Sequence, residues 1–156
     1  MEKAYFPMFV DISEMKIIVV GGGTIATRRI KTLLQFASDI TVIAPDGTDS
    51  LKLLETEGKI CLMHREYQEG DILDADMVLA ATDDKELNQK IAQECRKKET
   101  ESGKRILLSV ASDRELCDFY FPSVIKQDDI VVGINSGGKD PGKVKRVREK
   151  IEGVIL

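Results

Sequence analysis

Apolar runs rich in β-branched residues alternate along this chain with stretches of helical period. The first run, Met15-Lys-Ile-Ile-Val-Val20, passes straight into Gly21-Gly22-Gly23; Ile30, Leu33, Leu34 and Ala37 then share one helix face, and Ile40-Thr-Val-Ile43 is the second run. The same reading predicts a short helix over 50–57, a third strand over 59–64, a brief turn or helix over 71–76 and a fourth strand over 77–81. Leu87, Ile91, Ala92 and Cys95 follow at helical spacing over 85–98, with Asp83 or Asp84 placed to cap that helix. The charged stretch 96–105 has no apolar period and contains Gly103, so it is expected as a solvated loop before a fifth strand over 105–110. Strands alternating with helices predict an α/β fold, a doubly wound parallel sheet, up to residue 112. Beyond it, 119–125 and 130–135 read as two extended segments joined by a polar turn, followed by a loop and a basic helix over 142–155.

The expected organisation is therefore a domain over 1–112 and, over 113–156, a β-hairpin arm with a C-terminal helix and no separate helical domain. Phe119, Tyr120, Phe121 and Val131 give the hairpin more apolar surface than one small domain easily covers. Either it pairs with a second copy, making a homodimer through residues 119–135, or it folds back on its own domain.

The strand, glycine turn, helix and second strand over 15–46 carry the chemistry. Gly21 suits the tight turn, Gly23 keeps side chains away from an approaching phosphate, and Ala26 is the small residue that lets helix and strand pack closely. Unpaired amides at the helix start then face an anion, so this Rossmann-type unit predicts dinucleotide binding. Asp46, just past the second strand, has two readings: a carboxylate that holds ribose hydroxyls and disfavours a 2′-phosphate, which selects NAD over NADP, or part of a solvated Pro-Asp-Gly loop. Arg28 and Arg29 lie inside the first helix, away from where a 2′-phosphate would sit. Asp83 is likewise open to two readings, a helix-cap neighbour or part of the ligand crevice.

A formal charge of −4 leaves no electrostatic footprint for nucleic acid or an anionic membrane, and no apolar stretch reaches the length of a membrane span. The start has no basic region followed by an apolar one, so no signal peptide is expected and the cytoplasm is the expected location. Cys61, Cys95 and Cys117 are odd in number and widely separated, which predicts buried thiols rather than disulfides or a metal site. The single histidine, His64, follows Leu62-Met63 near a strand end and reads as a structural or surface imidazole rather than a base or a metal ligand.

Taken together, the motifs resemble those of the precorrin-2 dehydrogenases of siroheme synthesis, including the N-terminal module of siroheme synthases. The matching blocks are Phe6-Pro-Met-Phe9, Val19-Val-Gly-Gly-Gly23 with Ala26, Arg28 and Arg29, Thr41-Val42 with Ala44-Pro45, and Ala80-Ala-Thr-Asp-Asp84 with Asn88. Leu116-Cys-Asp-Phe119 with Phe121-Pro-Ser123, Asn135-Ser-Gly-Gly138 with Pro141, and Arg148-Glu-Lys150 continue the likeness over almost the whole chain. The resemblance implies NAD-dependent oxidation of precorrin-2, a tetrapyrrole, to sirohydrochlorin, without a metal in that step. It also implies that Gly21, Gly22, Gly23, Thr24 and Ile25 form the phosphate turn, Pro45 and Asp46 the adenosine-ribose edge, and Thr82 and Asp83 the loop over the cofactor. Asn135, Ser136 and Gly137, with Lys145 on the basic helix, are the candidate contacts for the substrate's carboxylates; an ordinary solvated helix end is the other reading of that lysine.

Two departures qualify the likeness. Where the family carries Asn-Val-Val-Asp after the fifth strand, this chain reads Ser109-Val-Ala-Ser112 and then Asp113. Serine is no base at neutral pH without help, so the candidate catalytic residues are Ser112, acting by position, and Asp113, whose common alternative is turn chemistry. Longer relatives also continue into a helical domain, and a chain ending at Leu156 argues against iron insertion. The competing functions are a sirohydrochlorin ferrochelatase and a non-catalytic NAD-sensing domain.

Overall fold

A computed structural model describes residues 4–155; residues 1–3, part of the stretch read for a signal peptide, and 156 lie outside it. Five strands form one sheet, all parallel: β1 (Ile17–Val20), β2 (Ile40–Ile43), β3 (Cys61–Met63), β4 (Met77–Ala80) and β5 (Leu107–Val110), in the order β3-β2-β1-β4-β5. This is the expected Rossmann-type sheet. β1 and β4 are buried along their whole length, which is why they read as unbroken apolar runs: a parallel sheet is covered on both faces. The cover comes from α1 (Thr24–Leu33), α2 (Asp49–Thr56) and α3 (Lys85–Ser102). Ile30 of α1, Leu51 of α2 and Ile91 and Cys95 of α3 are fully buried. Strand order reverses between β1 and β4, so their carboxyl ends open the crevice where ligands bind in such sheets.

Two expectations need correction here. The stretch 96–105 is not a loop: α3 runs on to Ser102, and Gly103 ends it at φ 71°. Lys, Arg and Glu are good helix formers, and Arg96–Glu99 (3.0 Å) and Lys97–Glu101 (4.0 Å) pair along these last turns, so the helix continues without an apolar stripe. Cys61 is exposed rather than buried. β3 is an edge strand whose residues point out, in and out, and only Leu62 reaches the core. Cys95 does lie in the core, where burial pushes its thiol up to about 12.

The chain separates into two compact units, Asp11–Phe119 and a second one formed by the segment ending at Val10 with the chain from Tyr120. Residues 113–118 stay with the sheet for a physical reason. The free edge of β5 is covered by Asp118, which accepts from Leu108 N and returns its own N–H to Leu108 O (both 2.8 Å), and by Cys117 Sγ, which accepts from Val110 N (3.1 Å).

In the second unit β6 (Ser123–Gln127) and β7 (Ile130–Ile134) form an antiparallel hairpin, and α4 (Pro141–Ile155) follows. The turn is tighter than expected, with only Asp128 and Asp129 between the strands, and Asp128 takes the left-handed φ of 51° that aspartate tolerates. Phe119–Pro122 precedes the first strand instead of belonging to it. α4 starts on a proline, whose missing N–H is no loss at a first helical position, and Arg148 ties it to β6 through Ser123 Oγ (3.0 Å). Tyr5 and Tyr120 pack with ring centroids 4.2 Å apart and share a hydroxyl hydrogen bond of 2.8 Å.

Candidate functional site

The crevice at the ends of β1 and β4 is shaped by three consecutive glycines that do three different things. Gly21 continues the ladder beyond β1, donating to Ile43 O (2.9 Å), at φ 121°; a Cβ there would stand 2.3 Å from Ala81 O. Gly22 lies against the loop after β2, and its Cβ would stand 2.3 Å from Asp46 O and 2.9 Å from the Ala44 methyl. Both glycines are demanded by the protein's own packing. Gly23 is not: a Cβ there would meet no atom within 4 Å, and its φ of −84° suits any residue.

Gly23 is also the N-cap of α1 and offers no side chain to the helix. The amides of the first turn, from Thr24, Ile25 and Ala26, have no acceptor within the helix. Their combined dipoles, with no side chain at Gly23 in front of them, favour an anion. Ala26 is fully buried against the sheet, the close packing expected of a small residue there. Thr27 anchors the turn from below, its hydroxyl lying 2.7 Å from Gly23 O and 2.8 Å from Thr48 Oγ1, while Thr48 N donates to Gly22 O (3.1 Å). The glycine turn and the loop after β2 are thus one hydrogen-bonded body.

Pro45 and Asp46 are exposed just past β2. Lys52 Nζ (3.3 Å) and the Gly47 amide (2.9 Å) both face the Asp46 carboxylate and hold it below the usual carboxylate range, so it is ionised at neutral pH. Past β4, Thr82 is half-buried and Asp83 exposed. Of the two candidate caps Asp84 is the one used, accepting from Glu86 N (3.0 Å) and Leu87 N (3.1 Å), which leaves Asp83 at the rim.

Ser112 is exposed past β5, and its Oγ accepts from Asn88 Nδ2 (3.0 Å). The Asp113 carboxylate caps the 3₁₀ turn Arg114–Leu116 by accepting from Glu115 N (3.0 Å). The residue that joins the Thr82 and Ser112 loops, Asn88, is absent from the candidates drawn from the sequence. Its signal was a polar residue on the apolar stripe of Ile91, Ala92 and Cys95, where it is fully buried. Arg29 reaches Ser109 Oγ (3.4 Å) on β5, and Arg28 is exposed on α1.

In the second unit, Asn135 Oδ1 accepts from Gly137 N (2.8 Å) and Ser136 Oγ from Asp140 N (3.1 Å), while Asp140 caps α4 through Lys143 N (2.8 Å). Gly137 and Gly138 both take left-handed φ, 67° and 74°, and Lys145 is exposed on the helix. His64 is a surface residue, 2.9 Å from Glu55. Among the described residues no group of three or more His, Cys, Asp or Glu is placed to hold a metal ion, and no helix is long and apolar enough to cross a membrane.

Comparison with known proteins agrees with this geometry. A family model described as "Putative NAD(P)-binding" matches residues 8–123. Over 151 residues the chain is 36% identical to siroheme synthase of Pseudoalteromonas atlantica, covering 97% of this chain and 31% of that protein. It is 35% identical to siroheme synthase of Actinobacillus pleuropneumoniae, covering 97% and 30%. The chain thus spans about a third of the length of the curated relatives it matches. The solved structure of SirC, precorrin-2 dehydrogenase, superposes with a TM-score of 0.81 at 26% identity, covering 96% of this chain and 70% of that one.

Proposed function

Because this chain belongs to the NAD(P)-binding family of precorrin-2 dehydrogenases and siroheme synthase N-terminal domains, we propose that it oxidises precorrin-2 to sirohydrochlorin with NAD. The observation that carries the reading is the open, uncapped start of α1 at Gly23, preceded by two glycines that the fold itself requires. NAD, when bound, supplies the acceptor for a hydride, and the substrate's second hydrogen leaves as a proton.

The chain's own residues have separable tasks in this proposal. Backbone amides from Gly22 to Ile25 hold the pyrophosphate. The ionised Asp46 accepts from the adenosine ribose hydroxyls beside Pro45 and repels a 2′-phosphate, which favours NAD over NADP. Thr82 and Asp83 close over the cofactor from the β4 side. Ser112 orients the substrate by hydrogen bonding, and Asp113, next to it in the chain, is the second candidate, as acceptor for the departing proton. Asn135, Ser136, Gly137 and Lys145 receive the acetate and propionate groups that rim the tetrapyrrole.

The test is an anaerobic assay of the purified chain with enzymatically made precorrin-2, following sirohydrochlorin absorbance with NAD, with NADP and with neither. Product that depends on NAD is the expected result; product formed without either nucleotide, or none with both, overturns the reading.

The proposal includes a homodimer through residues 119–135. Support comes from the apolar surface of the second unit, where Phe6, Met8 and Phe9 are 84%, 72% and 79% exposed and Ile130 is 56% exposed. Light scattering coupled to gel filtration is expected to give twice the chain mass, and a monomer at micromolar concentration would remove this part.

A further inference from the structure

We infer that Asn88 is a positioning residue for the proposed oxidation, joining the cofactor-side loop after β4 to the substrate-side loop after β5 and fixing the direction of the Ser112 hydroxyl. The inference rests on the dehydrogenase reading and adds to it a residue buried in the core.

The side chain of Asn88 is fully buried on the sheet-facing side of α3. Its Oδ1 accepts from Thr82 N (3.2 Å) and lies 2.7 Å from Thr82 Oγ1. Its Nδ2 donates to Thr82 O (3.1 Å) and Ser112 Oγ (3.0 Å). A carboxamide offers two acceptor positions and two donor hydrogens, so its whole capacity is spent on these two residues. The orientation of the amide is set by the backbone: Thr82 N can only donate and Thr82 O can only accept, which puts oxygen toward the first and nitrogen toward the second.

A consequence follows for Ser112. Its oxygen receives a hydrogen from Asn88, so its own O–H points elsewhere, and Ser112 is exposed at the carboxyl end of β5. The hydroxyl hydrogen is thereby kept off the Asn88 side and left available to donate to a molecule lying over the strand ends, and one of its acceptor positions is occupied. That is the arrangement for orienting a substrate rather than deprotonating it. A solvent-facing serine without such a partner would rotate freely. The same side chain fixes Thr82 by both backbone groups, so the loop meeting the cofactor and the hydroxyl meeting the substrate share one support.

Asn88→Asp tests this, because it keeps size and the Oδ1 contacts but replaces both donated hydrogens by an acceptor. Ser112 would then turn its hydroxyl inward, and Thr82 O would face a carboxylate oxygen. In the folded variant, kcat is expected to fall at least about tenfold with the KM for precorrin-2 changed less than about threefold, and the Kd for NADH to rise about tenfold. Ser112→Ala is expected to lower kcat to a similar degree with NADH affinity within about twofold, and Asn88→Asp added to it to cost less than about twofold more in kcat. Multiplicative losses in the double variant, or an unchanged kcat in either single one, overturn the role. Where Asn88→Asp does not fold, Ser112→Ala alone decides, an unchanged kcat overturning the role. A parent chain that binds NADH but makes no product ends the dehydrogenase reading, and the NADH affinity of Asn88→Asp then decides whether the Asn88 bridge matters to the cofactor. A parent that binds no NADH overturns both.

Discussion

Replacing Gly23 with valine is expected to weaken NAD binding by at least about 100-fold, ~2.7 kcal/mol, while the protein stays folded. The two halves of this expectation have separate grounds. Folding survives because a Cβ at Gly23 meets nothing within 4 Å and the backbone there, φ −84° and ψ −167°, is ordinary extended chain. Valine is a poorer N-cap than glycine, which costs at most about 1 kcal/mol. Binding fails because the isopropyl group stands in front of the first-turn amides, in the volume a pyrophosphate must enter. Calorimetric titration with NADH, beside a thermal melt by circular dichroism, reads both halves. A folded variant with the parent's affinity would remove the phosphate site from the glycine turn.

The features that made this site legible beforehand are those dictated by local geometry. β1 and β4 are central strands of a parallel sheet, so Ile17–Val20 and Met77–Ala80 had to be apolar throughout, and the glycine turn had to follow the first of them. The contrast among the glycines was only half visible. Spacing assigns Gly21 the turn, but that Gly22 is wedged against Asp46 O depends on how the loop after β2 returns, which no local pattern encodes. Cys61 misled because a three-residue edge strand alternates between solvent and core, and an apolar run does not say which residues face in. The last turns of α3 misled because ion pairs and propensity extend a helix past its buried stripe, where periodicity is silent. Asn88 stood in plain view on that stripe; its meaning required the fold to bring Thr82 and Ser112, both already candidates, onto the one side chain.

Gly21→Ala, two positions before the tolerant site, is expected to act in the opposite way, removing stability first and binding only as a result. The added Cβ would lie 2.3 Å from Ala81 O and 2.7 Å from Ala81 C, and φ of 121° is a conformation L side chains rarely adopt. Strained φ alone costs about 1–3 kcal/mol, and the overlap adds to it because neither side can retreat. Ala81 N is bonded to Val20 O at 2.8 Å and Gly21 N to Ile43 O at 2.9 Å, so separating them breaks the sheet on both sides of β1. A total loss of about 3–5 kcal/mol is expected, a large part of the ~5–15 kcal/mol that holds a typical domain together. Urea unfolding at 25 °C measures it as a lower midpoint, and a two-state variant within about 1 kcal/mol of the parent would mean the turn can be rebuilt. The two substitutions together separate what one motif combines: at Gly21 the missing side chain leaves room for the protein's own backbone, and at Gly23 it leaves room for a ligand.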